Sequence, residues 1–291
     1  MKINNEIPLI SVVVPSYNHK QFIEKTIVSV CMQDYERIQL IVIDDGSTDG
    51  SVEFIRKLQS KYKHLIEGFI YITKVNTGLA NTLNLSINQY VSGSFMTIIA
   101  SDDYLLEGSL RLRLKAITKI SADVVFSECT RVDENDVQLG DVLFTNERFV
   151  KLADFSVRSN FLPAPSAFFR TSVLKKIGGF DESLWFEDLD MWLSLLKADC
   201  KLFISKGVLV CYRDVPGSMS KQAEKIYQCS CQIMDKHSDI KGMGFRRAWV
   251  FLSYYKVAGY KNKKNHVKAI LALLKLISPT FIYTRINTAG R

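Results

Sequence analysis

The sequence predicts an α/β domain: a mostly parallel central sheet flanked by helices, continued at its C-terminal side by a helical, basic extension. Three observations carry that expectation. The first 125 or so residues alternate short β-rich apolar runs with segments of helical period, the pattern of successive βαβ units. A composition of 47% hydrophobic and 23% charged residues excludes a disordered or fibrous chain. Charge is also divided unevenly, with 24 basic against 27 acidic residues through position 220 and 14 against 3 from 221 onward. A soft boundary therefore falls near 220, giving a domain over 1–220 and an extension over 221–291.

Strands are expected at 10–14, 40–43, 69–73, 95–100 and 124–126, each a short apolar run. Between them, 22–32 places Ile23, Ile27 and Val30 on one face, and 51–58 is a shorter helix. Residues 79–91 align Leu79, Leu83, Ile87 and Tyr90, and 110–120 align Leu110, Leu114 and Ile117; these stripes would cover the sheet. From about 130 to 162 the rhythm gives way to Asp133, Glu134, Asn135, Asp136 and Gly140, which read as a long surface excursion. Regular signals return with a strand-like run at 164–169, a helix at 171–177, the turn Gly178-Gly179, a helix at 186–198 and two short strands at 202–204 and 208–212. From 221 the chain reads as helical and basic.

The net charge of +8 does not by itself indicate nucleic acid, since the excess sits in the extension and no nucleic-acid motif accompanies it. Cys31, Cys129, Cys200, Cys211, Cys229 and Cys231 lack Cys-x-x-Cys spacing and clustered histidines, which fits reduced thiols. Residues 1–6 lack a signal-peptide pattern, and no uncharged apolar run approaches the roughly 18 residues that span a bilayer. The expected location is cytoplasmic, neither exported nor integral.

Ligands of an open parallel sheet bind beyond the carboxyl ends of its strands, and the polar clusters of this chain fall there. The first strand runs into Pro15-Ser16-Tyr17-Asn18, the second into Asp44-Asp45-Gly46-Ser47, the third into Asn76-Thr77-Gly78 and the fourth into Ser101-Asp102-Asp103. Tyr17, Asp45, Asn76 and Asp103 thus reach one rim. Neither a Gly-x-Gly-x-x-Gly nor a Gly-x-x-x-x-Gly-Lys loop is present, so a dinucleotide cradle and a P-loop are excluded. An aromatic and a carboxylate at the first two rim positions suit a nucleoside base instead, by stacking and by accepting a ring N–H. Taken alone, Tyr17 reads as a packing tyrosine and Asp44-Asp45-Gly46-Ser47 as a capped turn. Adjacent carboxylates Asp102 and Asp103 repel unless a cation sits between them, and hard oxygen ligands select Mn²⁺ or Mg²⁺, which would bridge the phosphates of a nucleoside diphosphate. Glu187-Asp188 opens an apolar helix; such acids often serve only the helix dipole, but one of them could take an acceptor proton.

These residues together resemble the family 2 glycosyltransferases of the GT-A fold. The resemblance rests on Ser11 through Asn18, Ile43 through Asp49, Asn76-Thr77-Gly78, Ser101-Asp102-Asp103, Gly178-Gly179-Phe180-Asp181-Glu182 and Glu187-Asp188, and it covers roughly 8–220. It implies a nucleotide-sugar donor, commonly UDP-linked, bound by Pro15, Tyr17, Asn18, Asp44, Asp45, Asn76 and Asp102, with Asp103 on the metal. It further implies Asp188 as catalytic base, with Glu187 orienting the acceptor or the base, in a single inverting displacement. One departure stands out. Where many relatives carry a metal-holding histidine, this chain has Val215, leaving Asp214 as one substitute and direct phosphate contacts from Arg213 and Ser218 as another. No Gln-x-x-Arg-Trp run is present, so one sugar per cycle is expected.

The segment 245–277 interleaves Trp249, Phe251, Tyr254 and Leu271 with Arg246, Arg247, Lys263 and Lys268. It could rest on an anionic inner-membrane surface, which would suit a lipid-diphosphate-linked glycan acceptor, or pack on the domain as a helical lid. Two other classes compete: a sugar-nucleotide nucleotidyltransferase, for which 15–20 lacks the Gly-rich basic loop, and a catalytically silent scaffold, for which Val215 is the best argument.

Overall fold

The computed structural model describes residues 7–157, 161–216, 218–243 and 250. The chain divides into two compact units, residues 1–150 with 162–215 and residues 151–161 with 216–291. The first unit holds the sheet. Strand β1 (Ile10–Ser16) and β2 (Ile38–Asp44) are buried along their whole length, as continuous β-branched runs at the centre of a parallel sheet should be. β3 (Gly68–Thr73) is the half-buried edge, and β4 (Phe95–Ile98) flanks β1 on the other side. All three pairings among these four strands are parallel. Pro15, which has no N–H to give, lies where β1 still pairs with β2 but no longer with β4.

One face of this sheet is covered by α1 (Ile23–Cys31), α2 (Ser51–Tyr62) and α4 (Ser109–Ile120), with α3 (Leu79–Leu85) intervening in sequence. Ile23, Ile27, Ile55, Leu110 and Ile117 join Val12, Val14, Leu40, Val42 and Phe168 in one core. The helical signal over 79–91 is real but not uniform: the last turn, Ser86–Tyr90, widens to a π turn, a distortion common beside functional sites.

Beyond β4 the sheet becomes mixed. After β5 (Tyr104–Leu105), β6 (Val124–Val132), β7 (Gln138–Val142), β8 (Arg148–Phe149), β9 (Ala167–Arg170) and β10 (Leu202–Arg213) complete it in the order β3-β2-β1-β4-β9-β6-β10-β5. β9 inserts antiparallel between β4 and β6, while β6 and β10 are parallel. Alternation sends Val125 and Phe168 toward α4, and Phe126 and Phe169 toward the other face. There Trp192 of α7 (Asp188–Lys197) meets Phe126 edge-on at 4.7 Å and Phe169 at 5.9 Å. The helix α6 (Thr171–Lys176) follows β9 directly.

Two expectations are corrected. The excursion over 130–162 contains a β-hairpin: β6 continues to Val132 and returns as β7. Its turn is held by Asp133 Oδ1, which accepts the N–H groups of Asn135 and Val137 at 2.8 Å each. β7 is exposed almost throughout, so it has no apolar alternation to reveal it. The two short strands at 202–204 and 208–212 are one strand, interrupted by a bulge at Lys206-Gly207 where Gly207 takes φ +110°.

In the second unit, α5 (Asp154–Val157) is one turn and α8 (Ala223–Lys236) buries Cys229, Ile233 and Met234. The basic segment 245–277 lies outside the described residues except for Val250. Among the described residues no helix is long and apolar enough to cross a membrane. None of the six cysteines forms a disulfide.

Candidate functional site

Parallel strands β1 to β4 end on one side of the sheet, and the loops that leave them are tied together there. Asn18, held at φ +53°, donates its N–H to Ser47 Oγ (2.8 Å) and accepts the Thr48 N–H on Oδ1 (2.8 Å). Lys20 N–H reaches Asp49 Oδ2 at 2.9 Å, so the first two loops form one plate. On it Tyr17 is 48% exposed, an aromatic ring whose face is open to stacking. Asn76 is exposed on the third loop.

The two carboxylates after β2 do different work. Asp44 is fully buried and closes its own turn: Oδ1 accepts the Ser47 N–H at 2.8 Å and Oδ2 the Ser47 hydroxyl at 2.7 Å. Asp45 reaches across to the third loop, accepting Thr77 N–H on Oδ1 and Gly78 N–H on Oδ2, each at 2.9 Å, and pairing with Lys74. Gly46 at φ +79° permits this approach; a Cβ there would lie 2.9 Å from the Asn76 nitrogen.

Asp102 and Asp103 end the fourth strand's loop. Asp103 is only 2% exposed. Its Oδ1 accepts the backbone N–H of Arg213 at 2.7 Å, and its carbonyl accepts the Thr26 hydroxyl. Burial, then the charge of Asp102, holds the Asp103 carboxyl well above the usual carboxylate range. Burial also raises Asp102, offset by the nearby His19 imidazole and by Arg213. Both acids are thus disfavoured in their charged forms, and a nearby cation would favour those forms. His19, beside this pair, accepts or donates at Nδ1 with Ser101 Oγ (2.8 Å) and lies 3.8 Å from Asp102 Oδ1.

Arg213 is not aimed at a diphosphate. At 2% exposure it donates to the carbonyls of Asp102 (2.9 Å) and Asp133 (2.8 Å) and to Asp136 Oδ1 (2.6 Å), while stacking 4.8 Å above Phe22. It braces the β6–β7 turn against the aspartate pair. Asp214 pairs with Arg131 at 2.5 Å, Val215 is buried, and Ser218 belongs to the second unit.

Glu187 occupies the N-cap position of α7 and Asp188 its first turn, where Asp188 Oδ1 accepts the Leu189 N–H at 2.6 Å. Burial, followed by the charge of Asp188, pushes the half-buried Glu187 up to about 8. At neutral pH Glu187 is therefore mostly a neutral acid beside Asp188. A carboxyl raised in this way stabilises the fold most below the unfolded value of ~4.3, and that contribution is lost as pH rises through about 8. Between pH 5 and 8.5 the wild-type Tm is expected to fall by about 3 °C more than that of Glu187→Gln. Parallel Tm profiles for the two proteins would contradict it.

Sequence reasoning missed His19, Lys74, Asn81 and Asn84, whose importance exists only through contacts, and it passed over Glu182 although the run Gly178 through Glu182 was noted. Asn81 Nδ2 and Asn84 Nδ2 donate to the two oxygens of Glu182 at 3.0 and 2.8 Å. They fasten α3 to the segment that leads into Glu187-Asp188.

A mixed sheet with a parallel first half, acids at its carboxyl rim and an acid-led helix on the opposite sheet face define a GT-A type domain. Solved structures agree on the fold. TarS 1–349 of S. aureus in complex with UDP-GlcNAc matches 92% of this chain and 80% of its own at TM-score 0.66 and 20% identity. The mannosyltransferase PcManGT of Pyrobaculum calidifontis, in complex with GDP-Man and Mn²⁺, matches 98% and 85% at TM-score 0.63 and 18% identity. The chain belongs to glycosyl transferase family 2, whose model matches residues 11–178. Among curated relatives, the GalNAc(5)-diNAcBac-PP-undecaprenol beta-1,3-glucosyltransferase of Campylobacter jejuni is 28% identical over 94% of this chain and 89% of its own length. Three others are matched over 18%, 42% and 63% of their lengths.

Proposed function

We propose that this protein moves one sugar from a nucleoside diphosphate sugar, most naturally a UDP-sugar, to a hydroxyl of a glycan or lipid-diphosphate-linked acceptor, with inversion. The observation that carries the reading is the Asp102–Asp103 pair in the loop after β4, with Asp103 buried and both acids raised by burial, on the strand-end side to which parallel β1 also delivers the exposed Tyr17. The relatives' names support the substrate classes: one neighbour holds UDP-GlcNAc, and one relative is named for a PP-undecaprenol-linked glycan.

In this reading Tyr17 stacks on the base. A carboxylate has about four acceptor sites, and Lys74, Thr77 and Gly78 occupy three on Asp45, leaving one for a base N–H. Pro15, Asn18 and Asn76 shape the same pocket, and Asp44 serves it by fixing the turn. Asp102 meets the ribose or sugar.

Among the described residues no three His, Cys, Asp or Glu side chains gather as a metal cluster. Mg²⁺ and Mn²⁺ in such enzymes can be held by one or two carboxylates together with substrate phosphates. Asp103 would hold the ion, whose charge would neutralise the departing diphosphate. Asp188 takes the acceptor proton as the oxygen attacks the anomeric carbon, and neutral Glu187 orients that hydroxyl. The basic extension would keep the enzyme at the cytoplasmic face of the membrane that carries the acceptor.

A panel of nucleotide sugars, each with and without Mn²⁺, tests the reading through Tm and product release. One UDP-sugar with metal is expected to raise the Tm by several degrees, since a ligand at 100-fold its Kd adds about 2.7 kcal/mol, and to yield free or transferred sugar. Binding without turnover for any sugar would favour a silent scaffold, the reading Val215 allows. No binding at all would remove both.

A further inference from the structure

Polar side chains continue from the base-binding turn, through α3, to the loop before α7. Lys74 bridges the Asp45 carboxylate and the Thr77 hydroxyl. Thr77 Oγ1 donates to Asn81 Oδ1 at 2.6 Å, and Asn81 Nδ2 donates to Glu182 Oε2 at 3.0 Å. Glu182 Oε1 accepts from Asn84 Nδ2 at 2.8 Å. Asn84 also grips the backbone of Phe180 on both sides, donating to its carbonyl at 2.9 Å and accepting its N–H at 2.8 Å. Asn81 and Asn84 thus hold partners 96 to 101 positions away in the sequence.

The local backbone is built to receive this grip. Gly178 and Gly179 both adopt left-handed conformations, at φ +83° and +85°, and a Cβ on Gly179 would come within 2.3 Å of Asn84 Oδ1. The loop then anchors itself through buried Phe180 and Leu184, with Asp181 Oδ1 accepting Ser183 N–H at 3.0 Å. Asp188 follows Glu182 by six positions. The hydrogen bonds from Asn81 and Asn84, with the charge of Lys74, keep the Glu182 carboxyl below its ordinary range. It is therefore ionised at neutral pH, when charge-assisted bonds to two amides are strongest.

We infer that Glu182 is a positioning residue for sugar transfer: clasped by Asn81 and Asn84, it sets the approach of the Glu187-Asp188 helix terminus relative to the turn organised by Asp45. Loosening the clasp leaves the nucleotide contacts in place and lets the base stray from the acceptor oxygen. A displacement of about 1 Å is enough to cost on the order of 100-fold in rate. The clasp is exposed to solvent at Glu182, so its bonds contribute little to global stability. The inference rests on the proposed role of Asp188.

The test uses Glu182→Ala, Glu182→Gln and Asn81→Ala in the full chain, with the UDP-sugar that gives turnover. Glu182→Ala is expected to lower kcat about 10- to 100-fold, with UDP affinity changed less than twofold and Tm within about 2 °C of wild type. Glu182→Gln retains an acceptor oxygen on the same stem and is expected to recover part of the rate. The double variant Glu182→Ala/Asn81→Ala should be no slower than Glu182→Ala alone, because both remove one clasp. Unchanged kcat in Glu182→Ala, or a loss matched by an equal loss of UDP affinity, or additive losses in the double variant, would each overturn the inference. Its failure is separable from that of the function itself. If Asp188→Asn is inactive while Glu182→Ala turns over normally, only the clasp is wrong; if Asp188→Asn turns over normally, the assignment of the base is wrong.

Discussion

Asp188→Asn is expected to lose 10²- to 10⁴-fold in kcat, the usual worth of a general base (~3–5 kcal/mol of barrier), while the Kd for UDP stays within about twofold. The variant should fold. The asparagine Oδ1 can still accept the Leu189 N–H that Asp188 accepts at 2.6 Å, and loss of one acid from a helix N-terminus costs about 0.3–1 kcal/mol. One compensation has to be anticipated. The charge of Asp188 is the second cause of the raised Glu187 pKa, so its removal makes Glu187 easier to ionise and available as a surrogate base. Residual activity in Asp188→Asn should accordingly rise with pH and disappear in Asp188→Asn/Glu187→Gln. Rapid single-turnover assays across pH 6–9 with isothermal binding of UDP would check both parts. An equal loss of UDP binding and turnover would place Asp188 in the donor pocket instead.

For Asp103→Asn, activity and stability are expected to move in opposite directions. Asp103 is buried next to Asp102, and its ionised form is disfavoured first by burial and then by that neighbour. An asparagine keeps an oxygen to accept the Arg213 N–H, bonded at 2.7 Å, and removes a buried like-charge repulsion. Its Tm should equal or exceed that of wild type in the absence of metal. Turnover should nevertheless fall by at least about 100-fold, and the Mn²⁺-dependent increment in Tm with nucleotide should vanish, because a neutral amide is a poor ligand for a hard divalent ion. Thermal unfolding with and without Mn²⁺ and UDP, beside turnover, separates these effects. A strongly destabilised Asp103→Asn with metal-dependent activity intact would show that Asp103 is a structural brace alone.

How far the site was legible in the sequence depended on the range of the interactions that make it. Tyr17, Asp45, Asn76 and Asp103 could be assigned to one rim because each follows an apolar strand, and in a parallel sheet all carboxyl ends share a side. What each acid does there was not legible. Asp44 and Asp45 are adjacent and chemically identical, yet one closes a turn within three residues and the other spans to the third loop. Arg213 reads as a plausible phosphate ligand from its motif position; only its partners at Asp102, Asp133 and Asp136 reveal a buried brace. The hairpin over β6 and β7 escaped because neither face of β7 is buried, so period two never appears in its hydrophobicity.

From the amino-acid order alone come the βαβ rhythm of the first half, the apolar faces of α1 and α4, and the position of the polar clusters at strand ends. All of these are written in periodicities of two and 3.6 residues that side-chain geometry imposes locally. The antiparallel entry of β9 between β4 and β6, the burial of Asp103 over the Arg213 amide and the clasp of Glu182 by Asn81 and Asn84 were decided by the tertiary structure. Each joins residues tens of positions apart, and such a pairing is selected by packing and hydrogen bonding across the whole domain, a condition that no local stretch of sequence contains.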